Sequence, residues 1–344
     1  MSLPESGPAA ASDERGGHRL VGAARNMFVR AGVLPFLLAI AVVVFSLTSG
    51  QFLTFENLAN LLRQSVYLVL VSMGQMLALV TGGFDLSVGT ILAITSVVSA
   101  LVMSAIIVAN PDAVWLAILA GTCAGMAAAM VVGAVNGVGI AYFGVSPFIM
   151  TLGVQSVGFG VALFITGGVP VSGIPGLFGD TFGFGSVLGV PVPIGITVLV
   201  IALFWLLLDR TALGNYFHAV GGNPKAAALS GINVRRVLMF AYLLCALLVS
   251  IAGLLLTART DSGEANIGGN AALESIAACV IGGVSLRGGV GTVGSVVLGA
   301  IFIGLVQNGM NLASVGSYLQ MVVLGVLLIV AVIADTLRQR YFSR

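Results

Sequence analysis

The chain has 344 residues, of which 58% are hydrophobic and only 8% are charged, with a mean hydropathy of +1.13. An ordinary soluble domain has about 25% charged residues, so this composition excludes a soluble globular protein and predicts an integral membrane protein. The net charge of +2 argues against nucleic acid as a partner.

Ten apolar segments follow a polar N-terminal tail at residues 1–32. Crossing a bilayer takes about 17 to 25 residues, and the expected spans are 33–49, 61–81, 86–108, 114–140, 147–166, 190–208, 237–258, 273–284, 290–310 and 319–334. The eighth is short and could instead be re-entrant. We therefore expect an all-α fold of about ten transmembrane helices in one polytopic domain over residues 33–336, with a short tail at 337–344.

Basic residues predict the orientation of the chain. They cluster in the N-terminal tail, in the polar loop 209–236 and at the C-terminus, and even numbers of predicted spans separate these clusters. All three then fall on one side, which should be the cytoplasm because cytoplasmic loops are enriched in Lys and Arg. Both termini are expected to be cytoplasmic. The connection 167–193, rich in Gly and Pro, should be an ordered external loop that receives a partner or simply joins two helices.

The polar loop 209–236 contains a short predicted helix. Asn223 can cap it, Pro224 suits its first position, and Gly231 can end it. The plainer interpretation is a solvated connection between two membrane helices. Its small apolar side chains instead favour docking into another protein, and the candidate coupling residues are Gly222, Asn223, Pro224, Lys225, Ala228, Ser230, Gly231 and Ile232.

A glycine-rich motif occurs twice, about 200 residues apart. GGFDLSVGT at residues 82–90 recurs as GGVSLRGGVGT at residues 282–292, each copy between two apolar segments. The match could be chance in a chain with 47 glycines. It otherwise indicates an internal repeat, and in transporters the pathway runs at the interface between repeats.

Polar residues in and near the apolar segments are candidates for the transport pathway. Asp85 can cap the helix that follows it, at the cytoplasmic surface, or it can line a glycine hinge that moves. Uncharged amides suit a neutral sugar or polyol, although contacts between helices are their commoner role. The pathway and hinge candidates are Gly82, Gly83, Asp85, Ser87, Gln64, Gln75, Asn308 and Asn311.

Charged residues near the seventh and eighth segments form a second candidate set. Arg259, Asp261 and Glu264, with Glu274 nearby, are either exposed loop charges or contacts for an external binding protein. The three cysteines, Cys123, Cys245 and Cys279, lie in apolar runs without CxxC pairing and should be small buried side chains. We expect no metal site, no cofactor and no catalytic residues, because no metal motif, nucleophile elbow or phosphate-binding P-loop is present.

Four motifs give the chain a family resemblance. They are TGGFDLSVGT (81–90), LGNYFHAVGGNPKAAALSGINVRRV (213–237), AACVIGGVSLRGGVGTVGSVVLGA (277–300) and NGMNLASVGSYLQMVVLGVLLIV (308–330). With them, roughly residues 34–335 resemble the membrane permease subunits of bacterial ABC importers for monosaccharides, the ribose permease type.

The resemblance implies a type II importer in the bacterial inner membrane. A second permease chain, two cytoplasmic ATPase domains and a periplasmic sugar-binding protein would be its partners, and the helix at 223–232 would couple it to the ATPase. Three alternatives stay open: the same machine for a polyol or a furanosyl signalling sugar, an ion-coupled secondary transporter, and a membrane-embedded enzyme. The shortage of acidic residues within the spans argues against ion coupling.

Overall fold

The computed structural model describes residues 34–342, and the N-terminal tail lies outside this range. Helices dominate it. Their bounds are α1 Leu34–Thr48, α2 Phe55–Val80, α3 Val88–Ala109, α4 Val114–Ala141, α5 Pro147–Thr166, α6 Gly176–Phe178, α7 Val192–Arg210, α8 Ala212–Gly222, α9 Pro224–Leu229, α10 Val234–Thr260, α11 Ala271–Ile281, α12 Val293–Leu312 and α13 Ser317–Phe342.

The expected all-α membrane fold is confirmed. In the described part of the chain, seven helices are long and apolar enough to cross a bilayer, namely α2, α3, α4, α5, α7, α10 and α12. Three shorter apolar helices are α1, α11 and residues 317–333 of α13. Each of the ten predicted segments overlaps one of these ten helices. The eighth, predicted as short, is the 11-residue α11.

Helices α2 and α10 form the centre of the bundle. Most of the apolar part of each is buried, and α10 packs along α2, α3 and α4. By contrast, α5 and α7 expose most of their apolar residues. Helices that are apolar all round and exposed on one side are typical of a protein surrounded by lipid, where the bilayer covers the outward face.

Small residues allow the central helices to approach closely. A Cβ on Gly133 of α4 would lie 2.6 Å from the Cβ of Ala246 and 2.9 Å from the carbonyl oxygen of Tyr242 on α10. Real side chains do not approach that closely, so the contact between α4 and α10 requires glycine here. In a membrane such close packing is a main source of association between helices.

The connection 167–193, which we expect to be external, is ordered, as predicted. It contains α6, a π-helix at Gly179–Gly183, and a hairpin of two short strands, β1 (Ser186–Val187) and β2 (Val190–Pro191). The π-helix packs against the C-terminal end of α10. Val171 also pairs through both backbone bonds with Gly263, in the connection after α10, at 2.9 and 2.8 Å.

One expectation about the cysteines is wrong. Cys245 and Cys279 are fully buried, but Cys123 on α4 is exposed. An apolar run in a membrane protein does not distinguish a side chain in the core from one that faces lipid, because both environments favour the same residue types.

Candidate functional site

The two copies of the glycine motif are connections between helices, and both leave their helix in the same way. We name residues 81–87, between α2 and α3, the first loop, and residues 282–292, between α11 and α12, the second loop. In the first, the amides of Gly82 and Gly83 bond to carbonyl oxygens three and five residues earlier, at 2.9 and 2.8 Å. Gly283 and Val284 make the same bonds, both at 2.9 Å.

This backbone pattern is the Schellman motif, which needs a residue with positive φ. Gly82 and Gly283 occupy that position, with φ of 84° and 92°. Gly82 and Gly283 are therefore equivalent in the structure. The sequence comparison instead pairs Gly82 with Gly282, so the two pairings differ by one residue. The same bonds close the helices before Gly167, Gly231 and Ser314, so this helix end is a general feature of the chain and is not specific to the two copies of the motif.

The loops share a second feature beyond the helix end. Asp85 Oδ1 accepts a hydrogen bond from the amide of Ser87, two residues later, at 2.8 Å. Ser285 Oγ accepts from the amide of Arg287, also two residues later, at 3.2 Å. Both side chains thus close the same local turn with an acceptor oxygen, as Asp and Ser commonly do.

Asp85 is fully buried among protein atoms, and its depth in the bilayer stays a prediction. Its capping role is modified, because the amide that it binds belongs to Ser87, ahead of the first residue of α3. Oδ1 accepts a second bond from Ser87 Oγ at 2.6 Å, and Oδ2 faces Cys245 Sγ of α10 at 3.6 Å. A buried carboxyl group is tolerated only with such partners.

Four helices hold the first loop from outside. Asn136 Nδ2 of α4 donates to Ser87 Oγ at 2.7 Å, and Thr151 Oγ1 of α5 accepts from the Leu86 amide at 3.1 Å. Tyr242 Oη of α10 donates to the Phe84 carbonyl at 3.3 Å.

Gln75 of α2 completes the set. With its side-chain nitrogen oriented toward the backbone carbonyl of Asp85, Gln75 donates a hydrogen bond to that carbonyl at 2.8 Å. Its side-chain oxygen accepts from the backbone amide of Asp85 at 3.2 Å. Gln75, Asn136, Thr151 and Tyr242 are all fully buried. The first loop is therefore fixed by side chains from α2, α4, α5 and α10.

The second loop instead makes backbone contacts with α8. A Cβ on Gly221, near the end of α8, would overlap the carbonyl oxygen of Val80 and lie 2.7 Å from the amide nitrogen of Gly289. The Gly289 amide donates to the same Val80 carbonyl at 2.8 Å. The end of α2, the second loop and α8 thus meet at one point, which we name the glycine junction (Val80, Gly82, Gly221, Gly288 and Gly289).

His218 adds a side-chain contact to this junction. It lies on α8, and its two ring nitrogens face the carbonyl oxygens of Gly214 at 2.9 Å and of Gly291, in the second loop, at 3.0 Å. The ring therefore ties the second loop to α8.

The short helix predicted in the polar loop is α9, and its capping is confirmed. Asn223 Oδ1 accepts from the Ala226 amide at 3.0 Å, Pro224 is the first residue, and Gly231 has a φ of 84°. Ala227 is buried against the rest of the chain, whereas Leu229 is 91% exposed. Of the other coupling candidates, Gly222, Lys225, Ala228 and Ser230 are exposed, and Ile232 is half-buried.

The remaining pathway candidates lie elsewhere. Asn308 is buried, and its amide exchanges two hydrogen bonds, at 2.9 and 3.0 Å, with the amide of Asn57 on α2. Asn311 accepts from Gln320 of α13 at 2.8 Å. These contacts between helices are the commoner role that such amides have. Gln64 is exposed and lines a cavity between α2, α10, α11 and α12.

The docking candidates follow one another at the end of α10 that is remote from α9. Arg259 lies over the ring of Tyr67 on α2, with its guanidinium carbon 5.6 Å from the ring centroid. Asp261 is exposed with a φ of 53°. Glu264 accepts from Ser262 Oγ at 2.9 Å, and its amide donates to Ser96 of α3 at 3.0 Å.

Sequence reasoning missed three of the residues that hold the first loop, Asn136, Thr151 and Tyr242. Asn136 had a detectable signal, because it is the one amide side chain in α4. Thr151 and Tyr242 had none, since single hydroxyls are common in membrane helices.

Known proteins similar to the chain are transport permeases. The family model described as "Branched-chain amino acid transport system / permease component" matches residues 57–332. The ribose import permease protein RbsC of Bacillus subtilis (strain 168) is 41% identical over 303 residues, covering 88% of this chain and 91% of the relative. RbsC of Escherichia coli (strain K12) is 38% identical over 323 residues, covering 92% and 98%.

A third relative is the D-allose transport system permease protein AlsC of Escherichia coli (strain K12), which is 37% identical over 303 residues, covering 88% of this chain and 90% of the relative. No solved structure matches the chain. The match to the family model covers most of the ten-helix bundle, both loops and α9. The chain therefore belongs to the family of permease components of ABC transport systems, as a non-catalytic, multi-pass membrane subunit.

Proposed function

We propose that the chain is the permease subunit of an ATP-driven importer for a monosaccharide, ribose or a related pentose or hexose. The family description names branched-chain amino acids, but the relatives that match nearly the whole chain are named for ribose and D-allose. We give more weight to the relatives, because they share over a third of their residues with this chain, whereas a family description covers members of many specificities.

The importer also needs subunits that this chain does not supply. The printed sequence contains no P-loop, so ATP hydrolysis belongs to two cytoplasmic ATPase domains. A second permease chain completes the pathway, and a periplasmic binding protein delivers the sugar. In this arrangement α9 and both termini face the cytoplasm. Arg259, Asp261 and Glu264 face the periplasm and contribute to binding-protein docking.

The position of α9 carries the proposed coupling mechanism. This helix exposes Leu229 and Lys225 to a partner, and through α8 it is continuous with the glycine junction. The junction touches the end of α2 and the second loop, which leads into α12. A displacement of α9 by the ATPase would therefore be transmitted to α2 and α12, because closely packed backbones cannot absorb it.

The test compares two exposed leucines at opposite ends of the bundle. Leu229 on α9 is 91% exposed, and Leu188 in the hairpin between α6 and α7 is 99% exposed. We expect Leu229→Asp to lower co-purification of the ATPase and ATP hydrolysis about tenfold, because an anchoring apolar side chain is lost and a charge is desolvated. Leu188→Asp should leave both unchanged.

Retention of the ATPase and of hydrolysis by Leu229→Asp would show that α9 is not the coupling helix. The substrate class is tested separately, by uptake of labelled D-ribose, D-allose and L-leucine into vesicles that hold the whole complex. Uptake of leucine without either sugar would overturn the monosaccharide assignment.

A further inference from the structure

A polar cavity lies between α2, α10, α11 and α12, away from the glycine junction. It has a volume of about 410 Å³, and its polar lining residues are Gln64, Tyr67, Asn266, Asn270, Glu274 and Gln307. Small-molecule sites commonly have volumes of about 300 to 1,000 Å³. Gln64 is 16 residues from Val80 along α2, which places the cavity about 24 Å from the glycine junction at 1.5 Å per residue.

Helices next to both loops contribute to the wall of this cavity. Gln64 and Tyr67 come from α2, which ends in the first loop, and Glu274 and Gln307 come from α11 and α12, which flank the second loop. The cavity therefore lies between helices that flank the two loops, and small-molecule sites are commonly found between the helices of a bundle. A movement of the two helix pairs against each other would change its shape.

The chemistry of the lining fits a polyhydroxylated, uncharged ligand. Three amide side chains besides Gln307 offer both donors and acceptors, which match hydroxyl groups that also donate and accept. Glu274 is half-buried, and its Oε1 accepts from Gln307 Nε2 at 3.1 Å. A carboxylate has about four acceptor positions, so this bond leaves most of them available to ligand hydroxyls.

A neighbouring cavity is mostly apolar, in contrast to the polar cavity. It is formed by α11, α12 and α13, has a volume of about 80 Å³, and shares Asn270 and Glu274 with the polar cavity. Its other lining residues are apolar or glycine. Glu274 thus stands between an apolar space and a polar one. In this chain, whose charged residues are only 8% of the total, a carboxyl group at such a position is a functional candidate.

We propose that the polar cavity binds the transported monosaccharide and that Glu274 and Gln307 determine which sugar is accepted. Glu274 accepts hydrogen bonds from sugar hydroxyls, and Gln307 holds its carboxylate in place. This inference rests on the proposed function and adds the site of selection within the permease. Charge-assisted bonds of this kind are about twice as strong as neutral ones, so the pair can influence selectivity even after a binding protein has delivered the sugar.

The experiment uses the whole complex of permease, ATPase and binding protein in proteoliposomes. For Glu274→Gln and for Gln64→Leu, we expect the maximal uptake of D-ribose at saturating loaded binding protein to fall about tenfold, as the loss of a charge-assisted or well-placed hydrogen bond predicts. ATP hydrolysis stimulated by the loaded binding protein should persist. The ratio of D-ribose to D-allose uptake should shift about threefold, a change that a merely structural role would not produce.

The matched control is Glu56→Gln. Glu56 lies in the first turn of α2, is exposed and does not line the cavity, so uptake and selectivity should stay at wild-type values. Gln64 is also exposed, so its variant should fold even if Glu274→Gln does not. Wild-type uptake ratios in both Glu274→Gln and Gln64→Leu, with sugar still imported, would overturn this inference alone. A wild-type complex that imports neither sugar would instead overturn the proposed function.

Discussion

The first and second loops start from the same backbone geometry and are held in different ways. Both begin with a Schellman motif and continue into a turn closed by a side-chain oxygen. The first loop then reaches its next helix after seven residues, from 81 to 87, and the second after eleven, from 282 to 292. The longer loop includes Gly288 and Gly289, which contact α8.

The two loops are therefore held by different parts of the protein: the first by the helix bundle, and the second by α8. The first loop is held by fully buried side chains of four helices, with Asp85 at the centre. The second is held through backbone contacts and His218, next to the segment that carries α9. The two loops thus share a helix end, while the contacts that hold them differ.

The largest effect is expected from Asp85→Ala, which breaks the fixed loop. The substitution leaves the Ser87 amide and hydroxyl without their buried acceptor, and each unsatisfied group costs about 1 to 3 kcal/mol. We expect a loss of about 3 kcal/mol or more in the free energy of unfolding, measured as a lower thermal midpoint in detergent.

Two variants sharpen this prediction. Asp85→Asn retains one acceptor oxygen and should lose about 1 kcal/mol. Asp112→Ala, in the exposed connection between α3 and α4, should change stability by less than about 0.5 kcal/mol. A thermal midpoint for Asp85→Ala equal to that of Asp112→Ala would mean that the buried network does not hold the first loop.

An intermediate effect is expected from Gly221→Ala at the glycine junction. The added Cβ would overlap the Val80 carbonyl oxygen, and the backbone must move, at a cost of about 1 to 3 kcal/mol. The neighbouring Gly222 has no atom within 4 Å of the corresponding Cβ position. Equal thermal midpoints for Gly221→Ala and Gly222→Ala would contradict the close backbone contact.

The smallest effect is expected from His218→Leu, which removes the side-chain link between α8 and the second loop. One net hydrogen bond contributes about 0.5 to 1.5 kcal/mol, so a loss of about 1 kcal/mol is expected. Hydrogen exchange of the backbone amides in the second loop should increase, while that in the first loop stays unchanged. Equal changes in both loops would show that the two are not held independently.

The sequence was sufficient for the ten apolar helices, because span length and hydropathy are local properties, but it did not predict α8, an 11-residue helix within the polar loop 209–236. It predicted ten helices, the short α11 and the cap of α9 from a few adjacent residues each. It gave the wrong environment for Cys123, and it left the burial of Asp85 open. Burial depends on which helices surround a residue, and apolar segments that face lipid or protein have similar compositions.

The candidate site was predicted only in part, because the sequence does not show which helices surround a residue. Gln75 and Asp85 were chosen as pathway residues, and they prove to be hydrogen-bonding partners within one network. Asn308 was also chosen, but its partner Asn57 lies 251 positions away and could not be identified from spacing.

Glu274 was grouped with the docking candidates, because only the packed structure shows it beside Gln307 and Gln64.

The exposed thiol of Cys123 has a practical consequence for measuring assembly. The sequence contains three cysteines, and the other two are fully buried. Because Cys123 faces lipid on a membrane-spanning helix, a membrane-permeable thiol reagent is needed to label this one exposed position, ten residues into α4. In a complex with two permease chains, the separation of two such labels would give the spacing between the subunits directly, without any substitution in the protein.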